Sequence, residues 1–331
     1  MSLDSRPLDA DQIVDRRRLR RKLTFWRVLT VLVVLAAIGA VVAMSRSGGE
    51  LTNTASGAIA RVTISGLIRG NQERVEALER LANSNAKAVI VHIDSPGGTT
   101  SGSEQLYDSL RRLKAKKPMV VVVDGLCASG GYIAAMASDH IIAQSASLVG
   151  SIGVLIQYPN FSELLKTVGV KVEDVKSSPL KAAPNGFEPT SPEARAALAS
   201  IVMDSYNWFK DLVGTRRQLQ GEALDKVADG RVFTGRQALE LKLIDQLGDE
   251  RTALEWLAKE KGIDAATPVR DYRLRSRLSD FSFIRLTAVV ALNAVGLDGF
   301  ARSLEQSGLF AAAERLNLDG LLALWHPSPT N

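Results

Sequence analysis

The chain has 331 residues, 46% of them hydrophobic and 23% charged, which is typical of a folded protein. The net charge of +5 is concentrated before Val28, where eight Lys and Arg residues stand against four Asp residues. The remainder is nearly neutral, with 33 basic and 32 acidic residues, so a nucleic-acid partner is not predicted. The single cysteine, Cys127, excludes an intramolecular disulfide framework and a cysteine-based zinc site.

The N-terminal region predicts a membrane anchor. Residues 1–27 form a basic, polar tail, and residues 28–44 are apolar and uncharged, near the lower limit for a transmembrane helix. Because the arginines precede this segment, we expect the N-terminus in the cytoplasm and the rest of the chain on the outer side of the cytoplasmic membrane. The alternative is a cleaved signal peptide, with Val41 and Ala43 at the processing site.

The rest of the chain divides into three regions. Residues 45–57 are rich in small and polar residues and predict a linker, whereas residues 58–262 alternate strand-like and helix-like patterns. The alternation predicts an α/β domain with a mainly parallel sheet covered by helices. Residues 263–331 form a C-terminal extension with helical patterns, which packs on the domain or a sister subunit or contacts the membrane surface.

Several local predictions follow from the same patterns. The Val-rich segment Val120–Val123 predicts a strand buried on both faces, with a turn at Gly125. The alternating segment Val170–Val175 predicts another strand. Thr190 and Pro192 predict the start of a long helix with a capping box.

Ser129 is the candidate nucleophile. It lies between the buried strand and an Ala-rich helix and is followed by Gly130 and Gly131, so its hydroxyl is placed beside free backbone N–H groups. Such a corner suits a nucleophile whose product is an oxyanion. The structural alternative is a serine that only caps the helix.

A second glycine-rich corner, Asp94–Gly98, follows the preceding buried strand. In a parallel sheet both corners lie at the carboxyl edge, where sites form. The backbone N–H groups of Gly98 and Gly130 are therefore expected to converge on one oxygen as an oxyanion hole, although Pro-Gly-Gly by itself also predicts a simple turn.

The serine needs a base, and none of the three histidines has a defensible triad spacing. Lys181 is the candidate because its neighbours are apolar and no acidic residue lies between Lys176 and Phe187. A free lysine has a pKa of about 10.4 and must lose roughly three units to act as a base near neutral pH, which burial can supply. Ser151 is the candidate for orienting the amine. A solvated loop lysine is the structural alternative.

Five motifs in order resemble the short bacterial form of the signal peptide peptidase A family (peptidase family S49, ClpP/crotonase superfamily). They are DSPGG, GLCASGGYIAAMASD, GSIGV, the loop SSPLKAAP and GRVFTGRQALELKLID. The resemblance implies a ClpP/crotonase-like fold of stacked parallel sheets with helices. It also implies Ser129 as nucleophile, Lys181 as general base with Lys176 as the other candidate, Ser151 steadying the lysine, and Gly98 and Gly130 as oxyanion-hole donors.

The same resemblance implies a homo-oligomeric ring over the bacterial inner membrane in which a neighbouring subunit supplies the lysine. The expected activity is that of a membrane-anchored serine endopeptidase that degrades cleaved signal peptides and other apolar segments, with no metal or cofactor. The expected partners are peptide substrates and membrane lipid. Two alternatives remain: a crotonase-type acyl-CoA enzyme, and an inactive ring scaffold that binds membrane proteins.

Overall fold

The computed structural model describes residues 57–274 and the backbone of residues 321–324. The predicted tail and transmembrane segment, nearly all of the linker and most of the C-terminal extension lie outside these residues. In the part of the chain that is described, no helix combines the length and apolarity needed to cross a bilayer. The described residues therefore comprise the predicted α/β domain and two strands of the C-terminal extension.

The centre of the fold is an eight-stranded, mostly parallel sheet, with a separate three-stranded sheet beside it. The described strands are β1 (Ile59–Ser65), β2 (Ala88–Ser95), β3 (Gly97–Thr99), β4 (Met119–Ala128), β5 (His140–Ala143), β6 (Leu148–Gly150), β7 (Leu155–Ile156), β8 (Val232–Thr234), β9 (Gln246–Leu247), β10 (Val269–Asp271) and β11 (Leu321–Leu324). In the larger sheet, parallel strands follow the order β10-β1-β2-β4-β5-β9. Strand β6 extends this sheet by pairing in parallel with the far end of β4, and β8 pairs with β6 in the antiparallel direction.

Helices begin where side chains satisfy the free N–H groups of their first turns. The described helices are α1 (Gln72–Ala82), α2 (Thr100–Lys114), α3 (Gly130–Ala135), α4 (Ser162–Thr167), α5 (Pro192–Arg217), α6 (Gly221–Asp225), α7 (Gly235–Glu240) and α8 (Glu250–Lys261). The predicted long helix is present as α5, but its cap is Ser191, whose hydroxyl accepts a hydrogen bond from the N–H of Ala194. Thr190 instead bonds the hydroxyl of Tyr158, so the predicted capping box at Thr190 is wrong.

Both faces of the larger sheet are covered. Val121 and Val123 of β4 belong to the larger apolar cluster, together with buried residues of α1, α2, α3 and α5. Val120 and Val122 point to the opposite face and pack in a smaller cluster with Ala253 of α8. The run of four valines is therefore buried on both sides, as predicted.

The predicted turn at Gly125 is wrong, because β4 continues to Ala128. Its register with β2 shifts beside Asp94, where the strand bulges. The carboxylate of Asp94 accepts a hydrogen bond of 3.1 Å from the N–H of Leu126 and so satisfies an amide within the irregular stretch. Beyond the bulge the strand continues past Gly125 to Ala128. The serine corner, which we define as Ala128–Gly131, follows directly.

The predicted strand Val170–Val175 is also wrong, because these residues form neither helix nor strand. Val170, Val172 and Val175 are exposed. An alternating pattern forms a strand only where another strand offers hydrogen bonds and a core covers one face. Within the described residues this segment has neither, and its valines remain as apolar surface.

The second sheet departs from the expected stack of parallel sheets. It contains β3, β11 and β7 in that order, and β11 is antiparallel to both neighbours. Strand β3 follows the second glycine-rich corner, and β7 follows β6 after a short connection. The small sheet therefore stands at the same edge of the fold as the candidate site.

Candidate active site

Ser129 lies between β4 and α3 with its backbone at φ 53° and ψ −116°. This conformation costs a non-glycine residue about 1–3 kcal/mol and persists only where the surroundings enforce it. The N–H of Ser129 donates a 2.7 Å hydrogen bond to the carbonyl of Gly150. Only 1% of the surface of Ser129 is exposed. The packing of β4, β6 and α3 therefore fixes the serine.

The hydroxyl of Ser129 has no hydrogen-bond partner among the described residues, although it is fully enclosed. It does not cap α3, so the purely structural interpretation of this serine is wrong. A buried hydroxyl left unpaired costs about 1–3 kcal/mol, which makes it an unusual feature for a structural residue. The hydroxyl is therefore not held by a structural hydrogen bond within the described chain.

Ser151 follows β6 as Ser129 follows β4, and both have positive φ. Because Ala128 pairs with Gly150 in parallel register, the two serines stand at the ends of adjacent strands. The N–H of Ser151 donates a 2.8 Å hydrogen bond to the carbonyl of Arg231, which holds its backbone. The structure thus places the predicted nucleophile and the predicted orienting hydroxyl at one edge of the sheet.

The two predicted oxyanion donors also stand at this edge, because α3 packs against β3. A Cβ atom on Gly98 would lie 1.8 Å from the carbonyl oxygen of Ile68, and one on Gly131 would lie 2.9 Å from the carbonyl of Ser95. Only glycine allows these backbones to approach so closely. Gly130 is the first residue of α3, where N–H groups have no partner within the helix.

Lys181 is not part of this arrangement within a single chain. Its side chain is exposed and makes no hydrogen bond or ion pair with the described residues, and no hydrogen bond joins it to Ser129. Its backbone N–H donates to the carbonyl of Ser178, and the next residue, Ala182, has a φ of 58°. The loop therefore presents the lysine to solvent, and the dry environment expected from the sequence is absent from the isolated subunit.

Lys176, the other candidate base, is committed to an ion-pair network. Its ammonium lies 2.6 Å from a carboxylate oxygen of Glu188 and 3.0 Å from one of Asp174. The hydrogen bond to Glu188, followed by that to Asp174, raises the pKa of Lys176. A general base must be uncharged before it can accept the proton of the serine, and the raised pKa keeps the Lys176 amine charged. Lys176 is therefore excluded as the base in this arrangement.

A cavity of about 430 Å³ opens beside Ser151. Its lining is mostly apolar and includes Ile152, Leu155, Met203, Tyr206 and Ala228, with Asp229 as the one ionisable carboxylate. A mostly apolar cavity of this size fits an apolar side chain, and Ser151 connects it to the sheet edge that carries Ser129. The residues from α5 were missed by the sequence analysis, because nothing in their helical spacing shows which sheet edge they reach.

The motif beginning at Gly230 has a structural role that the sequence did not reveal. Its carbonyl at Arg231 holds Ser151, and the ring of Phe233 would lie 3.2 Å from a Cβ atom on Gly150. Strand β8 thus supports the backbone next to the site. The pairing of Gly150 with Val232 could have been found only with the tertiary structure.

Other reactive side chains are occupied or inert. The ring of His92 lies between the carboxylates of Asp124 and Glu250, at 2.9 and 2.8 Å, so its hydrogen-bonding atoms are satisfied. Cys127 is a buried core residue, and burial raises the pKa of its thiol. Neither group competes with Ser129 as the nucleophile.

Two family models match the chain: peptidase family S49 over residues 111–264 and Clp protease over residues 69–149. The second match agrees with the ClpP-like α/β fold. Among solved structures, a mutant of the 1510-N membrane-bound stomatin-specific protease has a TM-score of 0.43 and 16% identity, with 66% of this chain and 98% of that chain covered.

Curated relatives extend the comparison. A Synechocystis sp. protein described as a protease is 38% identical over 208 residues, which cover 62% of this chain and 75% of the relative. An Enterococcus faecium protein named as a signal peptide peptidase SppA is 33% identical over 201 residues, covering 60% of this chain and 58% of the relative. The chloroplastic serine protease SPPA of Arabidopsis thaliana is 30% identical over 228 residues, covering 69% of this chain and 32% of the relative. With the serine corner in place, these matches show that the chain belongs to peptidase family S49 and is a serine peptidase.

Proposed function

We propose that the protein is a membrane-anchored endopeptidase with a Ser-Lys dyad that degrades cleaved signal peptides and other apolar peptide segments. The observation that carries the proposal is the enclosed, unpartnered hydroxyl of Ser129 at a strained strand end. Gly130 begins the adjoining helix α3, and the backbones at Gly98 and Gly131 approach their neighbours closely. This is the arrangement that acyl transfer from a serine requires.

In the proposed reaction the Ser129 oxygen attacks the peptide carbonyl, and its proton passes to the uncharged amine of Lys181. The backbone N–H groups of Gly98 and Gly130 stabilise the oxyanion that forms. The ammonium then gives its proton to the departing amine, and a water molecule hydrolyses the acyl-enzyme with the lysine again as base. Ser151 orients the amine.

The lysine in this scheme comes from a neighbouring subunit of a homo-oligomeric ring. Support comes from the many exposed apolar side chains in residues 161–187, which include the lysine loop, and in α5. These are Phe161, Leu164, Val168, Val170, Val172, Val175, Leu180, Phe187, Ile201 and Met203. Exposed apolar side chains in this number suit an interaction site. A second copy that covers it would also remove water from Lys181 and so favour its neutral form.

The substrate class and location follow from the proposed anchor. An anchor at residues 28–44, with the N-terminus in the cytoplasm, holds the domain on the periplasmic or extracellular side of the bacterial inner membrane, next to lipid. Apolar peptides released in that membrane are then close to the site. The apolar cavity beside Ser151 supports a preference for such segments.

The decisive experiment mixes two inactive variants, Ser129→Ala and Lys181→Ala, under conditions that allow subunits to exchange. A site with the intact serine of one subunit and the intact lysine of its neighbour regains activity. Random assembly in a closed ring predicts roughly one quarter of the wild-type rate. Each variant alone is the control, and a mixture that stays inactive despite exchange contradicts a lysine supplied by the neighbour.

Labelling by a fluorophosphonate, with the modified residue mapped by mass spectrometry, tests the nucleophile separately. Ser129 should be modified in the wild type and not in Ser129→Ala. An assembled protein that neither labels nor cleaves any apolar peptide would support the inactive ring scaffold instead. The match to a peptidase family favours peptide over acyl-CoA chemistry.

A further inference from the structure

Strand β11 lies between β3 and β7, the two strands that flank the serine corner. Leu322, Ala323 and Leu324 pair with Thr99, Gly98 and Gly97 in the antiparallel direction. On the other side, Leu321 and Leu322 pair with Ile156 and Leu155. A segment about fifty residues beyond the α/β domain therefore fills the space beside the proposed oxyanion donor.

The direction of the backbone groups makes this placement specific. The N–H of Thr99 donates to the carbonyl of Ile68, and the carbonyl of Gly97 accepts from the N–H of Ile68. Because successive residues of a strand direct their backbone groups to opposite sides, the N–H and C=O of Gly98 point to β11. They face Ala323 in the register of the pair. The amide proposed to bind the substrate's oxyanion thus faces the chain's own backbone.

Without β11, two strand edges would face each other across the width of one strand, about 9.6 Å from backbone to backbone. Such a cleft binds an extended peptide through main-chain hydrogen bonds on both sides, whatever its sequence. The segment that fills it reads Leu-Leu-Ala-Leu and has no charge. It therefore has the chemistry of the apolar peptides proposed as substrates.

We propose that Leu321–Leu324 is a tethered occupant of the peptide-binding cleft and competes with substrates for the edges of β3 and β7. The inference rests on the proposed function for the meaning of the cleft, but the occupancy itself can be measured without catalysis. A peptide substrate must displace the segment before it reaches Ser129. The activity of the full chain is then reduced by the fraction of subunits whose cleft is filled.

The test uses the full chain with Ala323→Pro, which removes the N–H that faces Gly98 and disfavours a central strand. The matched control is Ala323→Ser, which keeps that N–H and a small side chain. If the cleft is filled in about nine subunits of ten, Ala323→Pro raises kcat/KM for an apolar fluorogenic peptide about tenfold, through a lower apparent KM. Ala323→Ser should behave as the wild type.

Hydrogen exchange of the amides of Gly98 and Leu155, which both point to β11 in the register of the pairs, provides a readout that does not depend on activity. Exchange at both positions should become faster in Ala323→Pro and stay slow in Ala323→Ser. The synthetic peptide Gly-Leu-Leu-Ala-Leu-Trp, with the sequence of residues 320–325, should restore slow exchange and inhibit the proline variant more strongly than a scrambled peptide.

The outcomes separate this inference from the proposed function. Unchanged exchange in Ala323→Pro overturns the occupancy. Faster exchange without a rise in kcat/KM, in protein whose Ser129 still labels, overturns the competition. If no variant labels or cleaves, the proposed function fails, and slow exchange that depends on Ala323 still establishes the occupant.

Discussion

The serine corner and the lysine loop (residues 176–187) differ in their exposure to solvent. Ser129 is buried, strained and held by the backbones of β4, β6 and α3. Lys181 stands on an exposed loop whose apolar side chains contact solvent. One half of the proposed dyad is thus complete within a single chain, and the other half is presented outward. This contrast is the reason why we propose that a second subunit, rather than folding of the single chain, completes the site.

The largest effect is expected from Ser129→Ala, which removes the hydroxyl of the proposed nucleophile. Peptide cleavage should fall by at least about 10³-fold, since removal of a nucleophile leaves only binding and oxyanion stabilisation. Steady-state cleavage of an apolar fluorogenic peptide measures this. The control is Ser145→Ala, a change at an exposed serine in the loop between β5 and β6. Equal activity of Ser129→Ala and the control would contradict the assignment.

Lys181→Met tests the other half and should reduce cleavage by at least about 10²-fold, the contribution of a general base. Thermal stability of the isolated subunit should not change, because the side chain is exposed and makes no hydrogen bond or ion pair with the described residues. Lys171→Met is the matched control, since Lys171 is also exposed in the same region. If both variants retain cleavage, Lys181 is not the base.

Gly98→Ala tests how closely the backbones of β3 and Ile68 approach each other. The new methyl group would overlap the carbonyl oxygen of Ile68, so β3 must move. We expect a loss of about 2–4 kcal/mol in the free energy of unfolding, together with loss of cleavage. Denaturant titration measures it, with Gly70→Ala as control because the space around Gly70 is open. A stable and active Gly98→Ala protein would contradict the close approach.

The smallest effect concerns the opposite face of the sheet, where Glu250 binds Arg61 and His92. The hydrogen bond from Arg61 is the main cause that lowers the pKa of Glu250. Because the pKa is lower in the folded state, this contribution is present above the ordinary value of about 4.3 and is lost as the pH falls through the folded value. Glu250→Gln should cost about 1 kcal/mol or less at pH 7, since the pair is partly exposed, without change in cleavage.

Urea titrations of wild type and Glu250→Gln from pH 7 to pH 3 measure the difference. It should shrink as the pH falls below about 4.3. A difference that stays constant over this range would show that packing, rather than charge, is the source. A large loss of cleavage at pH 7 would connect this face to the site.

The predictions succeeded where a local pattern coincided with a local cause. Four adjacent valines required covering on both faces, and both clusters of the core supply it. In helix α1 the apolar spacing of the sequence likewise coincides with a local cause, the cap at Asn71. The serine-glycine corner was found for the same reason, since strand, turn and helix signals meet there.

The predictions failed where the outcome depended on distant partners. Val170–Val175 has the pattern of a strand but no strand to pair with in the described chain. Lys176 has no acidic neighbour on its C-terminal side before Phe187, yet Glu188 and Asp174 reach it in space. The support of Ser151 by Arg231 joins residues eighty positions apart, which no periodicity can show.

The sequence by itself determined the alternating α/β architecture and the strand-to-helix corner that holds the candidate nucleophile Ser129 and its glycines, because strands and helix starts are encoded by neighbouring residues. Only the tertiary structure decided that the Ser129 hydroxyl has no partner among the described residues, that Lys181 is exposed, and that residues 321–324 lie along Gly98. The physical reason is that burial and hydrogen-bond satisfaction are properties of the packed chain. They depend on which distant backbones meet, and local composition does not specify those meetings.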